Sequence, residues 1–237
     1  MRWQFPRWGK DKLAVLLRRD GIAVSTSMVG RILVQLKRLG RLTEAPRSGV
    51  PHSRRALRFR PYAVRKPRQY AVENAGDLVQ VDTVEVRPIP GVKFKQFTAR
   101  DVVSRWDVIQ AHRRATAQAA TDFLDTLQHR MPFPIRALQV DGGSEFAAEF
   151  EQACQQRGLL LFVLPPRSPK LNGAVERANR THTEEFYQVH PYSLHLNTLN
   201  RELRQWEKIY NTVRPHQALG YLTPQQFLDL NPSQRKE

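Results

Sequence analysis

Residues 134–146 read PIRALQVDGGSEF, an apolar run that ends in a bare carboxylate and two glycines. The segment from Ile135 to Val140 has the branched, apolar character of a buried strand. Asp141 stands at the mouth of that strand, and Gly142 and Gly143 bring no side chains to cover it. Asp-Gly-Gly is strong turn chemistry, because glycine takes positive φ freely and Asp bonds its neighbouring backbone. A turn is therefore one reading. A carboxylate displayed for chemistry is the other, and the rest of the chain decides between them.

The 237 residues leave room for one substantial domain and a smaller one, and 41% hydrophobic with 25% charged residues fits a globular protein with a real core. No stretch approaches the ~20 apolar residues that a membrane span needs, and the start MRWQFPRWGK is unlike a signal peptide. A cytoplasmic setting without membrane partners is expected. The single cysteine, Cys154, excludes disulfides and Cys-rich zinc fingers and reads as a small core residue. A net charge of +16 points to a polyanion, since each phosphate contact releases condensed counterions.

Residues 1–45 read as a small helical unit. GKDKLAVLLRRDG and VSTSMVGRILVQLKRLG each carry helical spacing, with Ser25 or Thr26 as a cap and Gly40 as a stop. The second helix is expected to bury Met28, Val29, Ile32, Leu33 and Leu36 and to expose basic residues, among them Arg31 and Lys37. Two helices joined by a short turn fit a helix-turn-helix, or a helical hairpin packed on the main domain. Residues 46–74 read as a proline-rich basic linker in which Arg54, Arg55 and Arg58 could follow phosphates, with Phe59, Tyr62 and Tyr70 free to stack.

From 75 to 190 the order strand, strand, strand, helix, strand, helix, strand, helix predicts an α/β fold, a mixed five-stranded sheet flanked by helices. Helices are expected at 116–131, 145–158 and, capped by Asn172, at 172–187. Residues 191–237 read as a helical extension.

VQVDTVEV, residues 79–86, places Asp82 inside the first strand, where an unpaired charge is costly. A crossover after the third strand can set the fourth beside the first and bring Asp82 and Asp141 together. Two such carboxylates repel, and either share a proton or hold a cation such as Mg²⁺. Glu176 follows 35 positions after Asp141, in the first turns of a helix. There the helix dipole favours it, and an ion pair with Arg180 is the plain alternative. Glu85 falls on the opposite strand face from Asp82, Asp101 shapes the hairpin turn, and His182, His190 and His195 read as surface or packing residues.

VQVDTVEV, LQVDGGSEF and PPRSPKLNGAVERANRTHTEEFY resemble the three signature blocks of the integrase catalytic core, the DDE superfamily of retroviral integrases and bacterial insertion-sequence transposases. YNTVRPHQALGYLTP (210–224) and FPRWGKDKLAVLLRRDGIAVSTSMVGRIL resemble the C-terminal signature and the helix-turn-helix of the transposase branch. The resemblance implies an RNase H-like fold. It further implies two Mg²⁺ or Mn²⁺ ions held by Asp82, Asp141 and Glu176, and DNA strand cleavage and transfer on double-stranded element ends and target DNA. It implies an assembly of at least two copies on DNA, associated with the bacterial nucleoid. Gly142 and Gly143 would let a DNA backbone approach Asp141. Asn179, Arg180, Arg167 and Lys170 become candidate DNA contacts. The chain lacks the Cys/His zinc domain of retroviral integrases, and its start at WQFPRWGKDKL suggests a shortened helix-turn-helix region. A silent DNA-binding remnant and a nuclease that cuts without joining are the alternatives.

Overall fold

In the computed structural model the helical and alternating patterns of the sequence separate into two units, Met1–Arg58 and Phe59–Glu237. Residues 9–42, 60–165, 169–189 and 191–232 are described. In the first unit, α1 (Lys10–Arg19) and α2 (Thr26–Arg38) enclose a small core of Leu13, Ala14 and Val29, backed by Leu17, Val24 and Leu33. Ser25 caps α2, its hydroxyl accepting from the Met28 N–H at 3.1 Å. Met28 and Ile32, expected in the core, are 47% and 42% exposed. Among the described residues of this unit, α1 covers only one side of α2, the side of Val29 and Leu33.

The second unit is built on strand alternation. β1 (Val79–Ile89), β2 (Val92–Asp101) and β3 (Asp107–His112) form an antiparallel meander. α3 (Ala117–Arg130) then crosses over to β4 (Ala137–Val140), and α4 (Glu149–Gln156) leads to β5 (Leu160–Val163). The spatial order is β3-β2-β1-β4-β5, with β4 parallel to β1 and β5 parallel to β4. The fourth strand therefore does lie beside the first. One sheet face is apolar: Val79, Val81, Phe97, Ala99, Leu138 and Val140 pack with Phe123, Leu124 and Leu127 of α3 and Phe150 of α4. Each fully buried leucine or phenylalanine there contributes about 1.5–3 kcal/mol.

The opposite face is mixed. α6 (Leu196–Thr212) lays Leu199, Leu203, Trp206 and Tyr210 against Phe94, Ile109 and Ala111. Beside that cluster a polar strip of Gln80, Asp82, Gln96, Thr98, Arg100, Asp107 and Gln139 runs across four strands. α5 (Gly173–His182) covers it, and α7 (Pro224–Leu230), started by a Thr223–Gln226 capping box, closes the described chain.

Three expectations change. Residues 60–74 do not form a linker but lie on the sheet unit. The backbone N–H groups of Tyr62 and Ala63 donate to the buried carboxylate of Glu151, and Val64 bridges Phe162 beside β5. The Tyr62 hydroxyl donates to Leu159, and Tyr70 stacks edge-on against Phe162, so neither ring is free. The helix expected from 145 is broken into a 3-10 turn, Ser144–Phe146, and α4, with Ala148 at φ 50° between them. The Phe146 carbonyl, which a continuous helix would need, instead accepts from Arg60. Finally, α5 runs on as a π-helical turn, Thr183–Tyr187, and not as α-helix.

Candidate active site

The same three letters, Gln-Val-Asp, occur at 80–82 in β1 and at 139–141 at the end of β4. The parallel register pairs Gln80 with Gln139 and Val81 with Val140. The valines point into the apolar core, while both glutamines and Asp82 face α5 and the turn before it.

The glutamines hold the helix. Gln80 and Gln139 both donate to the Leu171 carbonyl, at 2.9 and 2.7 Å. The Gln80 carbonyl oxygen also accepts from the N–H groups of Ala174 and Val175, two free donors of the first turn of α5. Asn172 sits at the cap position as expected, but its side chain makes no cap bond and its Oδ1 is buried without a partner. The cap comes from a strand.

With α5 pinned at that end, Asn179 reaches Asp82, its amide donating to Oδ2 at 2.8 Å. Glu176 lies one helical turn earlier on the same face and is exposed, as is Asp141. Burial raises the Asp82 pKa to about 6. The Thr83 N–H and Asn179 oppose the shift, and the charges of Asp141 and Glu176 add to it. The three carboxylates, drawn from three separate elements, thus share one electrostatic neighbourhood. Their oxygens and their mutual repulsion suit a hard divalent cation. Asn179 Oδ1 is buried without a hydrogen-bond partner. Among the described residues, no three Asp, Glu, His or Cys side chains stand close enough to form a ready-made cation cage.

Both readings of Asp141 coexist. Its Oδ1 accepts from the Gly143 N–H at 2.8 Å, which is the predicted turn, yet its charge acts on Asp82. The two glycines differ from expectation. Gly142 faces open space, but a Cβ on Gly143 would stand 2.7 Å from Glu145 Oε2 and 2.8 Å from Asp141 Oδ1. Gly143 makes room for two carboxylates. Glu145 was not singled out from the sequence, since it read as the start of a helix. It accepts from the Thr83 hydroxyl at 2.8 Å and ties the Asp141 turn to β1. Arg60 holds the same turn by donating to the carbonyls of Gly143 and Phe146.

The other candidates divide. Asn179, read as a DNA contact, is 6% exposed and committed to Asp82, so it positions that carboxylate and has little surface left for DNA. Arg180 is exposed and forms no ion pair with Glu176. Arg31 and Lys37 are exposed on α2. Arg54, Arg55, Arg58, Arg167 and His190 lie outside the described residues, as does the side chain of Lys170. Glu85 pairs with Arg87 and Lys95, away from the site. Asp101 accepts from the N–H groups of Gly76, Val103 and Ser104 and so builds the hairpin. His195 is exposed, whereas His182 is fully buried between Trp206 and Asp107. The Trp206 indole donates to its Nδ1 at 3.0 Å, leaving Nε2 to face Asp107 Oδ2 at 3.1 Å. Asp107 also takes a two-pronged bond from Arg100, which bonds Tyr210 as well. Burial would raise Asp107, but Arg100 and His182 hold it below the ordinary carboxylate range.

Residues 157–224 match the family described as Integrase core domain. An insertion element IS476 uncharacterized 39.2 kDa protein of Xanthomonas euvesicatoria is 30% identical over 93 residues, 39% of this chain and 27% of that protein. The chain spans only 27 to 33% of the length of the curated relatives it matches. The crystal structure of the catalytic core domain of BIV integrase superposes with a TM-score of 0.52 at 22% identity, covering 66% of this chain and 96% of that one. A cryoEM structure of the simian T-cell lymphotropic virus intasome in complex with PP2A regulatory subunit B56 gamma gives 0.55 at 17% identity, over 94% and 72%. A five-stranded sheet in this order, flanked by helices, is the fold those integrase cores share with this chain. Part of the chain, residues 157–224, is thus similar to the integrase core domain, a stretch of 93 residues to insertion-element proteins, and the sheet unit has the fold of integrase catalytic cores.

Proposed function

We propose that the protein is a DDE-type polynucleotidyl transferase that cleaves and joins DNA strands during transposition, with Asp82, Asp141 and Glu176 holding divalent cations. Its main support is that Gln80, Gln139 and Asn179 tie α5 across β1 and β4, so that Asp82, Asp141 and Glu176 are carried by elements that adjoin one another. When bound, Mg²⁺ or Mn²⁺ lowers the pKa of an attacking water or 3′ hydroxyl and offsets charge gathering on the departing oxygen. The chain does the placing. Gln80 and Gln139 fix the start of α5 and therefore Glu176, Asn179 orients Asp82, and Arg60 and Glu145 brace the turn that carries Asp141. Open space at Gly142 leaves a way in for a DNA strand.

The partner is double-stranded DNA, consistent with the charge of +16, and the work is done in the cytoplasm on nucleoid DNA. No helix among the described residues is long and apolar enough to cross a membrane. The α1–α2 unit acts as a helix-turn-helix, with Arg31 and Lys37 toward phosphates, and Arg180 reaches DNA from α5. Joining two element ends calls for at least two copies on DNA.

Purified protein with Mn²⁺ or Mg²⁺ is expected to nick and join duplexes bearing the terminal repeats that flank its gene. Asp141→Asn is expected to lose both steps and keep DNA binding. Nicking without joining would identify a nuclease, and binding with neither step would identify a silent remnant.

A further inference from the structure

The second face of α5 borders a cavity of about 510 Å³ that lies apart from the carboxylates, enclosed by α5, the β2–β3 turn, the end of α6 and the loop that follows it. Four arginines converge on it: Arg100, Arg105, Arg177 and Arg214. Two of them are neutralised. Asp107 takes both prongs of Arg100, and Glu185 takes both prongs of Arg214, at 2.5 and 2.7 Å. Arg105 and Arg177 form no ion pair among the described residues, so four cations less two anions leave two uncompensated. Arg105 Nε is buried and has no hydrogen-bond partner. A buried guanidinium nitrogen without an acceptor is costly and marks a place where an acceptor belongs.

The backbone supports this aim. Arg105 has φ 61° and Tyr221 has φ 68°, two of the three non-glycine residues with positive φ among those described, and both line this cavity. Side chains of this size avoid that region unless the surroundings enforce it. Tyr221 is held by the loop from His216 to Leu222, closed by backbone bonds from His216 to Leu222 and from Tyr221 to His216, and Arg105 by the β2–β3 turn, its N–H donating to the Asp101 carbonyl. The loop after α6 carries the RPHQALGY part of the C-terminal signature, for which the carboxylate chemistry has no use.

We propose that this cavity is a phosphate-binding site that grips a non-reacting phosphodiester of the DNA backbone, through Arg105 and Arg177. The proposal rests on the DNA-transferase reading above and adds a second contact to it. Arg177 follows Glu176 directly in α5, so one helix presents an acid to the carboxylate site and a base to the cavity. A strand passing the carboxylates would be held by its neighbouring phosphate, and the scissile bond would be fixed in register. An exposed arginine held in a partly enclosed cationic cavity is the geometry for a bidentate oxyanion contact.

The experiment measures binding of the full chain to a short duplex DNA over a range of salt concentrations. Arg105→Gln and Arg177→Gln are each expected to lower the slope of log Kd against log salt by about 1, and to weaken binding by about tenfold. Arg177→Lys is expected to keep the slope, and thermal unfolding checks that every variant is folded. Arg87→Gln, an exposed arginine of β1 outside the cavity, serves as the bulk-charge control. An equal fall for the control would overturn the site, and so would unchanged slopes in the cavity variants. Binding of poly-glutamate that is lost in the cavity variants while the DNA slope holds would also overturn it, in favour of a protein carboxylate. The nicking and joining assay on the wild type separates the two readings: unchanged cavity-variant slopes with intact nicking and joining sink only the cavity. A normal slope change with no nicking or joining by the wild type sinks only the transferase.

Discussion

Asp82 and Asp107 lie on the same face of one sheet, two strands apart, and burial pushes both toward the neutral acid, yet their pKa values move in opposite directions. Around Asp107 the fold has placed Arg100 and His182, and the two-pronged bond from Arg100 favours the ionised carboxylate. Around Asp82 it has placed two further carboxylates and one amide, and the pKa rises to about 6. A buried acid that the chain pairs from its own cations supports the structure. A buried acid that the chain surrounds with more acid gains nothing for folding and must be explained by what it binds.

The largest expected effect breaks the comparison on the side of activity. Asp82→Asn should cut strand cleavage and joining by at least about a thousandfold, read by gel assay with Mn²⁺, while thermal unfolding shows an intact fold. Asp107→Asn should act the other way round. It leaves the Arg100 guanidinium buried without its counter-charge, so the protein should lose about 3–5 kcal/mol of stability in denaturant unfolding. If both substitutions proved equally harmful to stability, the distinction would fail.

Proton linkage sharpens the contrast. Because Asp82 titrates higher in the folded state than in an unfolded chain, its folded form is favoured at low pH, and that advantage is lost as pH rises through about 6. Asp82→Asn should therefore stabilise the protein at about pH 7.5 in chelator by roughly 1–3 kcal/mol, and have little effect near about pH 4. Asp107, held low, contributes stability above its unfolded value and loses it as pH falls through the folded one. The cation should show the same sign. Mn²⁺ should raise the unfolding temperature at about pH 7.5 and lose that effect below about pH 6, where Asp82 keeps its proton.

The smallest effect concerns the support beneath the site. Gln80→Leu removes the bonds to Ala174, Val175 and Leu171 and should cost about 1–2 kcal/mol, with a larger relative loss of activity than of stability, because Glu176 loses its fixed position. Equal losses in both would reduce Gln80 to an ordinary helix cap.

The fold was legible wherever period and length agreed. Strands β1 and β4 and the helix at 117–130 lie within a few residues of where alternation and helical spacing put them, since those patterns report one buried face at a time. Reading failed where a distant group competes for the backbone. Nothing near Phe146 says that Arg60 will take its carbonyl, and nothing in the basic run around Tyr62 says that the carboxylate of Glu151 will draw that run onto the core. The repeated Gln-Val-Asp was present in the letters, and matching it between two strands would have signalled Gln80 and Gln139. Glu145 carried no such mark.

By itself, the sequence determined the alternation that builds the sheet, the excess of positive charge, and the positions of Asp82, Asp141 and Glu176 along the chain. Only the tertiary structure decided which acids are left facing one another and which are neutralised. Local spacing sets the side of a strand a carboxylate faces, but its state depends on the charges that other elements bring within a few ångströms, and those are chosen by how the helices cross the sheet.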